Sequence, residues 1–358
     1  MKVAIVVPYA SFVEVNMAKA FEYAGVSTYL VKTNKERFEY RTRELTFEKY
    51  CKTFELPCLI DNKLIRGYAP FPLMLHIFTL IENLDPDIIN VSEHVSAPTW
   101  LFSIFKKKWK VVLTEHGSCW KSARDRIYNM LTSKLLIRRI DGFVGIGFKS
   151  KSFLERIGAQ NVRVIPNPVD CNLFKPTLLH NEKQNIILYV GKADTFRGLH
   201  ILLAAMKFVR KKIQDARLWI IGPRGNLSDH IKKGDGNVKY LGSKPHYEMP
   251  IYYNQAKVFV NPFAHSVVAG IGCATSEALA CGTPIVVTKF LDFPFVWKNG
   301  EVGYLSENAT PLDLANAIVK VLYCDDDIQH RCRKLAVKEF SFQSVGRRYY
   351  NLFKELLE

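Results

Sequence analysis

"VVAGIGCATSEALACGTPIVV" (residues 267–287) sets a glycine-bearing loop, a single carboxylate and a helix stop between two apolar stretches. Gly270 and Gly272 let the backbone approach a ligand closely. A helix starting near Ala274 would offer that ligand the N–H groups of Cys273 and Ala274, because the first turn of a helix has no carbonyl partners for its donors. Gly282 fits the left-handed residue that ends a helix, and Thr283-Pro284 leads into a further strand, "PIVVT" (284–288). Another apolar run, "KVFVN" (257–261), precedes the loop. Strand, loop, short helix and strand make the unit of a parallel sheet covered on both faces.

The same unit recurs in both directions. Before it lie "NIILYVG" (185–191), "RLWIIG" (217–222) and "NVKYL" (237–241), and after it "VGYL" (302–305). An earlier set comprises "KVAIVV" (2–7), "STYLV" (27–31), "DIINV" (87–91), "KVVLT" (110–114), "GFVGI" (142–146) and "VRVI" (162–165). The two sets are separated by "PNPVDCNLFKPTLLHNEKQ" (166–184), whose three prolines and polar tail predict an inter-domain linker. The expected fold class is therefore α/β, with two doubly wound domains, and ligands are expected outside the carboxyl ends of the strands. Segment 35–69 breaks the pattern with mixed charge and aromatics, and either shapes an acceptor site or covers the sheet.

Composition excludes several classes. With 358 residues, 48% hydrophobic and 23% charged, the chain can build two ordinary cores and is neither disordered nor fibrous. The apolar opening is broken by Pro8 and lacks a small-residue cleavage site, so a buried first strand is expected and not a signal peptide. "PFPLMLHIFTLI" (70–81) is far short of the ~20 residues of a spanning helix. The eight cysteines form no C-x-x-C pair, which favours reduced thiols in a cytoplasmic protein.

A net charge of +16 calls for an anionic partner. The basic runs are scattered and no nucleic-acid motif accompanies them, so nucleic acid is not expected. "FKKKWK" (105–110) reads either as a lipid headgroup surface, with Trp109 and Phe105 among lysines, or as a plain exposed helix end. An anionic membrane surface is thus a candidate partner, and peripheral attachment at the inner membrane face a candidate location.

After "NIILYVG" comes "KADTFRG", so Lys192 and Arg197 flank a strand-to-helix turn between Gly191 and a helix beginning near Gly198. Two cations at a helix N-terminus read either as a phosphate seat or as two surface cations at a loop. The order G-K-[ST] is missing, so this is not a P-loop. Glu277 reads either as a dipole partner in the first turn of its helix or as an acceptor for a diol, since a carboxylate offers only acceptors and a ribose offers two adjacent donors. Anion-binding turns beside a diol acceptor describe a nucleotide site. In the first half, Ser92, Glu93 and His94 follow "DIINV", and Glu115, His116 and Gly117 follow "KVVLT". "DDD" (325–327) reads as a solvated helix cap, and no His/Cys cluster has ligand spacing, so no metal is expected.

"VIPNPVD" (164–170), "YVGKADTFRG" (189–198) and "EALACGTPIVV" (277–287), in that order and spacing, resemble the family-4 retaining glycosyltransferases of the GT-B fold over essentially the whole chain. The resemblance implies two Rossmann-like domains facing a cleft: an acceptor-binding domain at 1–166, a nucleotide-sugar-binding domain at 167–340, and a final helix, 341–358, crossing back to the first domain. It implies that Lys192 and Arg197 hold the diphosphate, with Lys and Arg exchanged relative to the usual family order. Glu277 matches the second Glu of the E-x7-E motif, which contacts the ribose. The donor loop would further draw on Gly191, Gly198, Gly270, Gly272, Cys273 and Ala274, and His116, which matches the histidine of a histidine-glycine pair at the cleft floor, is expected to be catalytic together with Lys192 and Arg197. Ser92, Glu93 and His94 fall on the acceptor side.

Three departures accompany the likeness. The first Glu of E-x7-E falls on Ala269, "YASFV" (9–13) replaces the glycine pair after the first strand, and Ser92 replaces a common histidine. His265 or Ser266 would have to recover the sugar contacts that Ala269 cannot make. The implied activity is a metal-independent retaining hexosyltransferase with a nucleoside-diphosphate sugar as co-substrate, no cofactor, and a glycan or lipid-linked acceptor. The alternative is a non-catalytic homologue that binds nucleotide or glycan as a partner subunit.

Overall fold

The computed structural model describes residues 1–8, 11–33, 51–56, 58–60, 71–72, 74–94, 96–116, 135–231, 236–264, 270–289, 292 and 297–358. The chain divides into two units, Met1–Pro168 with Phe342–Glu358, and Val169–Ser341.

The first unit is built on a seven-stranded parallel sheet. In chain order its strands are β1 (Lys2–Val6), β2 (Ser27–Thr33), β3 (Lys52–Leu56), β6 (Ile88–Ser92), β7 (Lys110–Glu115), β8 (Gly142–Gly145) and β9 (Arg163–Val164), while β4 (Cys58–Ile60) and β5 (Phe71–Pro72) form a separate antiparallel pair. Their order across the sheet is β3-β2-β1-β6-β7-β8-β9. Every side chain of β1 after Lys2 is buried, and the strand shows why a parallel sheet reads as an unbroken apolar run. Val3, Ile5 and Val7 enter one core, whereas Ala4 and Val6 enter the core on the opposite face. β3 was hidden in the sequence because it is an edge strand with three partly buried or exposed charged and polar positions, inside the segment that reads as irregular.

The helix Phe342–Leu357 belongs to this first unit. Its Val345, Tyr349, Leu352 and Phe353 are buried against the helix Phe12–Tyr23, with Phe21 meeting the rings of Tyr349 and Phe353 edge-on at 5.1 and 5.3 Å. A Cβ on Gly346 would lie 2.0 Å from the Ala20 carbonyl oxygen, so a glycine is needed for the two helices to approach this closely.

The second unit holds a six-stranded parallel sheet of β10 (Gln184–Val190), β11 (Arg217–Ile221), β12 (Val238–Gly242), β13 (Ala256–Asn261), β14 (Ile285–Thr288) and β15 (Gly303–Ser306), ordered β12-β11-β10-β13-β14-β15. Alternation again splits β10 between two cores, Ile186 and Leu188 on one face, Ile187 and Tyr189 on the other. The boundary between the two units falls inside the predicted linker, after Pro168, and residues that follow it enter this unit's core. Val169, Cys171 and Phe174 are buried, and the Arg333 guanidinium donates to the carbonyls of Phe174 (2.7 Å) and Cys171 (2.8 Å). Apart from a single 3-10 turn at His180–Glu182 the segment is irregular before β10, yet its apolar residues still pack.

"FKKKWK" is corrected in the same way. Trp109 is fully buried and packs against Phe102, while Lys106 pairs with Asp141, Lys107 with Glu82 and Lys108 with Asp85. Only Phe105 of the two aromatics is exposed. Among the described residues no helix is long and apolar enough to cross a membrane, and Cys51, Cys171, Cys273, Cys281, Cys324 and Cys332 are free thiols.

Candidate functional site

In the second unit the connections leave β10 in one direction toward β11 and β12, and leave β13 in the other toward β14 and β15. Their carboxyl ends flank the topological switch point, where the crossovers part and open α/β sheets bind ligands. Lys192 and Arg197 occupy the turn after β10, and the glycine-bearing loop follows β13.

That turn is pinned at several points. Tyr189 Oη donates to the Lys192 carbonyl (2.8 Å), the Ala193 amide to Pro223 O (3.1 Å) and the Arg197 amide to Asp194 Oδ1 (3.1 Å). Gly198, at φ +76°, caps the helix Leu199–Lys212. A Cβ there would lie 1.7 Å from the Pro262 carbonyl oxygen, so only glycine allows the turn after β10 to lie against the loop after β13. The same approach sets the Arg197 guanidinium 5.6 Å from the centre of the buried Phe263 ring. Lys192 and Arg197 are both partly exposed, and neither has a carboxylate at ion-pair distance among the described residues.

After β13, Asn261 Nδ2 donates to Thr275 Oγ1 (3.0 Å), which ties the end of the strand to the helix Cys273–Ala280. Gly270 and Gly272 have positive φ, +72° and +75°, and the Gly270 amide donates to Asp292 Oδ2 (3.3 Å). Cys273 and Ala274 begin the helix, and Gly282 ends it at φ +68° with the Thr283 amide reaching back to Ala278 O (2.8 Å). His265, Ser266 and Ala269 lie outside the described residues.

Glu277 is the fifth residue of this helix and so lies in its second turn, which removes the dipole-partner reading. It is buried, and both oxygens are engaged: Oε1 with His246 Nε2 and Oε2 with the Tyr253 hydroxyl, each at 2.8 Å. Burial, reinforced by the Glu277 charge, pushes the Tyr253 phenol well above its ordinary range, so it stays a protonated donor. A carboxylate has about four lone-pair positions, leaving some for a ligand diol. Sequence reasoning missed His246, Tyr253, Asn261 and Phe263, because each meets its partner through the sheet and not along the chain.

In the first unit, the ends of the neighbouring strands β6 and β7 gather Ser92, Glu93, His94, Glu115 and His116. Glu93 adopts φ +66°, unusual for a residue with a side chain, and its carbonyl accepts from the Ser96 amide (3.0 Å) and Thr99 Oγ1 (2.7 Å) at the start of the helix Ala97–Ile104. The bend turns His94 inward. Its amide and Nδ1 both meet Oε2 of the fully buried Glu115, at 3.1 and 2.6 Å, and its ring lies 4.8 Å from that of Phe153. His94 is itself buried, so it shapes the strand ends and presents little surface of its own. His116, partly exposed at the next position, has its pKa lowered by burial, against the opposing pull of Glu14 and Glu115. Gly117 lies outside the described residues.

Glu93, His94 and Glu115 bring one ligand atom each within 4.8 Å of one another. The expectation that no residues are grouped to hold a metal came from spacing along the chain, and this grouping in space escapes that test. In the structure the pair of atoms closest together, His94 Nδ1 and Glu115 Oε2, is hydrogen-bonded.

Comparison with known proteins now decides the family. The model for glycosyltransferase family 4 matches residues 13–173, and that for glycosyl transferases group 1 matches residues 172–339. The chain belongs to glycosyltransferase family 4. This glycosyltransferase is 25% identical over 221 residues to a D-inositol 3-phosphate glycosyltransferase of Corynebacterium jeikeium, covering 54% of the chain and 52% of that relative. It is also 25% identical over 249 residues to a phosphatidyl-myo-inositol mannosyltransferase of Mycobacterium leprae, covering 67% of the chain and 65% of the relative. The chain thus spans between half and two thirds of the length of these relatives. Among solved structures, Anabaena HepE in complex with UDP superposes with a TM-score of 0.79 at 15% identity, over 99% of this chain and all of that one. The likeness shows the GT-B fold, and each unit is a Rossmann-like domain on a parallel sheet.

Proposed function

We propose that this glycosyltransferase moves a hexose from a nucleoside-diphosphate sugar to the hydroxyl of a glycan or lipid-linked acceptor, with the anomeric configuration retained. One observation carries the reading: the contact of Gly198 with Pro262 joins the Lys192–Arg197 turn to the loop that leads into the Glu277 helix. Two cations without carboxylate partners among the described residues, a helix start and a buried diol acceptor then belong to one strand-end site, which suits a nucleoside diphosphate. As the glycosidic bond loosens, charge develops on the leaving diphosphate, and Lys192 and Arg197 would stabilise it without a metal ion or cofactor.

UDP in the HepE complex makes uridine the first base to test. The mannosyltransferase relative, named for a phosphatidyl-inositol acceptor, supports a lipid-linked acceptor and with it a peripheral location at the cytoplasmic face of a membrane. On the other half, Ser92, Glu93 and His116 are the residues we assign to the acceptor side, with His94 bracing them through Glu115. The test is calorimetric titration of UDP, GDP and ADP, and of their sugars, into the wild type and Lys192→Ala. Selective binding of one diphosphate that the variant loses supports the proposal. Absence of binding to all three overturns it in favour of the partner-subunit reading, which the missing carboxylate at Ala269 favours.

A further inference from the structure

Glu277 does not act alone. Its two oxygens are held from two different segments: Tyr253 on the helix Met249–Gln255, and His246 in the turn that follows β12. Two such bonds to two oxygens fix the plane of the carboxylate, and hence the directions in which its remaining lone pairs point. The two braces differ in setting. Tyr253 is fully buried within the core around Phe174 and Phe259, so its removal would disturb packing. His246 is about one third exposed, with one side of its ring near Phe174 at 5.1 Å. It therefore stands at the rim of the site, where a contact with a buried carboxylate contributes to the aim of Glu277 more than to the core.

We propose that His246 is a positioning residue for nucleotide recognition, holding the Glu277 carboxylate in the orientation that accepts the two ribose hydroxyls. The inference rests on the reading of Glu277 as the ribose acceptor. Because an ionised carboxylate only accepts, Nε2 of His246 is the donor in this contact. Without it, Oε1 is left to rotate or to recruit water, and the geometry offered to the diol is no longer preset.

The test compares UDP with 2′,3′-dideoxyuridine diphosphate, which lacks the hydroxyls, on the wild type, His246→Ala, His246→Gln and Glu277→Gln, with GDP and its dideoxy analogue in parallel. Thermal melting is recorded for each variant. His246→Ala is expected to weaken the ribonucleotide about tenfold, the scale of one hydrogen bond to a charged group, and to leave the dideoxy ligand unchanged. His246→Gln, whose amide nitrogen can donate to Oε1, should recover most of the loss. A loss of equal factor on both ligands, or no loss on either, overturns the positioning role, and retained dideoxy binding shows that the variant is folded. If the wild type does not prefer the ribonucleotide, or Glu277→Gln keeps that preference, the ribose reading itself falls and takes this inference with it.

Discussion

Gly198 stands so close to the Pro262 carbonyl that any larger residue would place its Cβ 1.7 Å from the oxygen, deep inside van der Waals contact. Backbone faces backbone here, so no side-chain rotation can relieve the clash, and the left-handed φ of +76° adds strain for any residue with a Cβ. Gly198→Ala should cost roughly 3–5 kcal/mol, the sum of left-handed strain and overpacking. Urea denaturation checks the stability, and titration with UDP checks the site: the variant should lose nucleotide affinity even where it remains folded, because the turn carrying Lys192 and Arg197 must move away from Phe263.

Lys192→Ala and Arg197→Ala act on the ligand and not on the fold. Both side chains are partly exposed and lack a carboxylate partner among the described residues, so melting temperatures should stay near that of the wild type. Transfer should fall by roughly 10²–10³-fold in each, the scale for removing one preorganised donor to a developing charge. Arg197→Lys should recover only part of it, since an ammonium neither forks toward a diphosphate nor stacks on Phe263 as a guanidinium does. Initial rates with a saturating donor measure all three, and more than half the activity in either alanine variant would remove these residues from the site.

Where function could be read from the chain, it was read from local pattern. Apolar runs such as "NIILYV" are strands because both faces of a parallel sheet are buried, and Gly198, Gly270, Gly272 and Gly282 fall at positive-φ positions that favour glycine. What stayed hidden depends on residues brought together by the sheet. His246 lies 31 positions from Glu277, and Tyr253 lies 24, on an element that crosses to a different strand. Glu115 and His94 meet across β6 and β7, 21 positions apart. Trp109 misled for the opposite reason: its lysine neighbours are exposed and paired, but the residue before β7 turns into the core against Phe102.

His180 gives the second unit an acid-sensitive point. It is buried, neither ring nitrogen has a hydrogen-bond partner among the described residues, and burial, with nearby Lys183, lowers its pKa from 6.5 to about 4. A histidine depressed in the folded state is neutral there while the unfolded chain takes up a proton, so stability is intact above pH 6.5 and falls as the pH drops toward 4. The depression corresponds to ~3 kcal/mol over that window. His180→Leu should flatten this part of the stability profile, measured as urea midpoints between pH 7 and 4, and should also gain about 1 kcal/mol at pH 7, where two unsatisfied nitrogens are removed from the interior.

Lys183 provides the alkaline counterpart. Its ammonium is buried, donates to Thr283 Oγ1 at 3.1 Å, and has its pKa lowered by burial from 10.5 to about 8, with Cys281 and Cys332 pulling slightly the other way. Below pH 8 both folded and unfolded chains carry the proton and the fold bears the full cost of burying the charge. Between pH 8 and 10.5 the folded chain releases it first, the unfolded chain binds more protons, and stability attributable to this group rises by ~3 kcal/mol. Lys183→Met should therefore be more stable than the wild type at pH 7 by about 2 kcal/mol, once the lost hydrogen bond is subtracted. That advantage should shrink steadily above pH 8 and vanish or reverse above pH 10.5, where the wild-type amine becomes neutral in the unfolded chain as well and only its bond to Thr283 distinguishes it. Taking the difference between the two proteins at each pH cancels the titration of groups that do not interact with Lys183 and leaves that of Lys183 with the groups its charge reaches, Cys281, Cys332 and His180, so a constant difference across the range would show that Lys183 is not the buried cation described here.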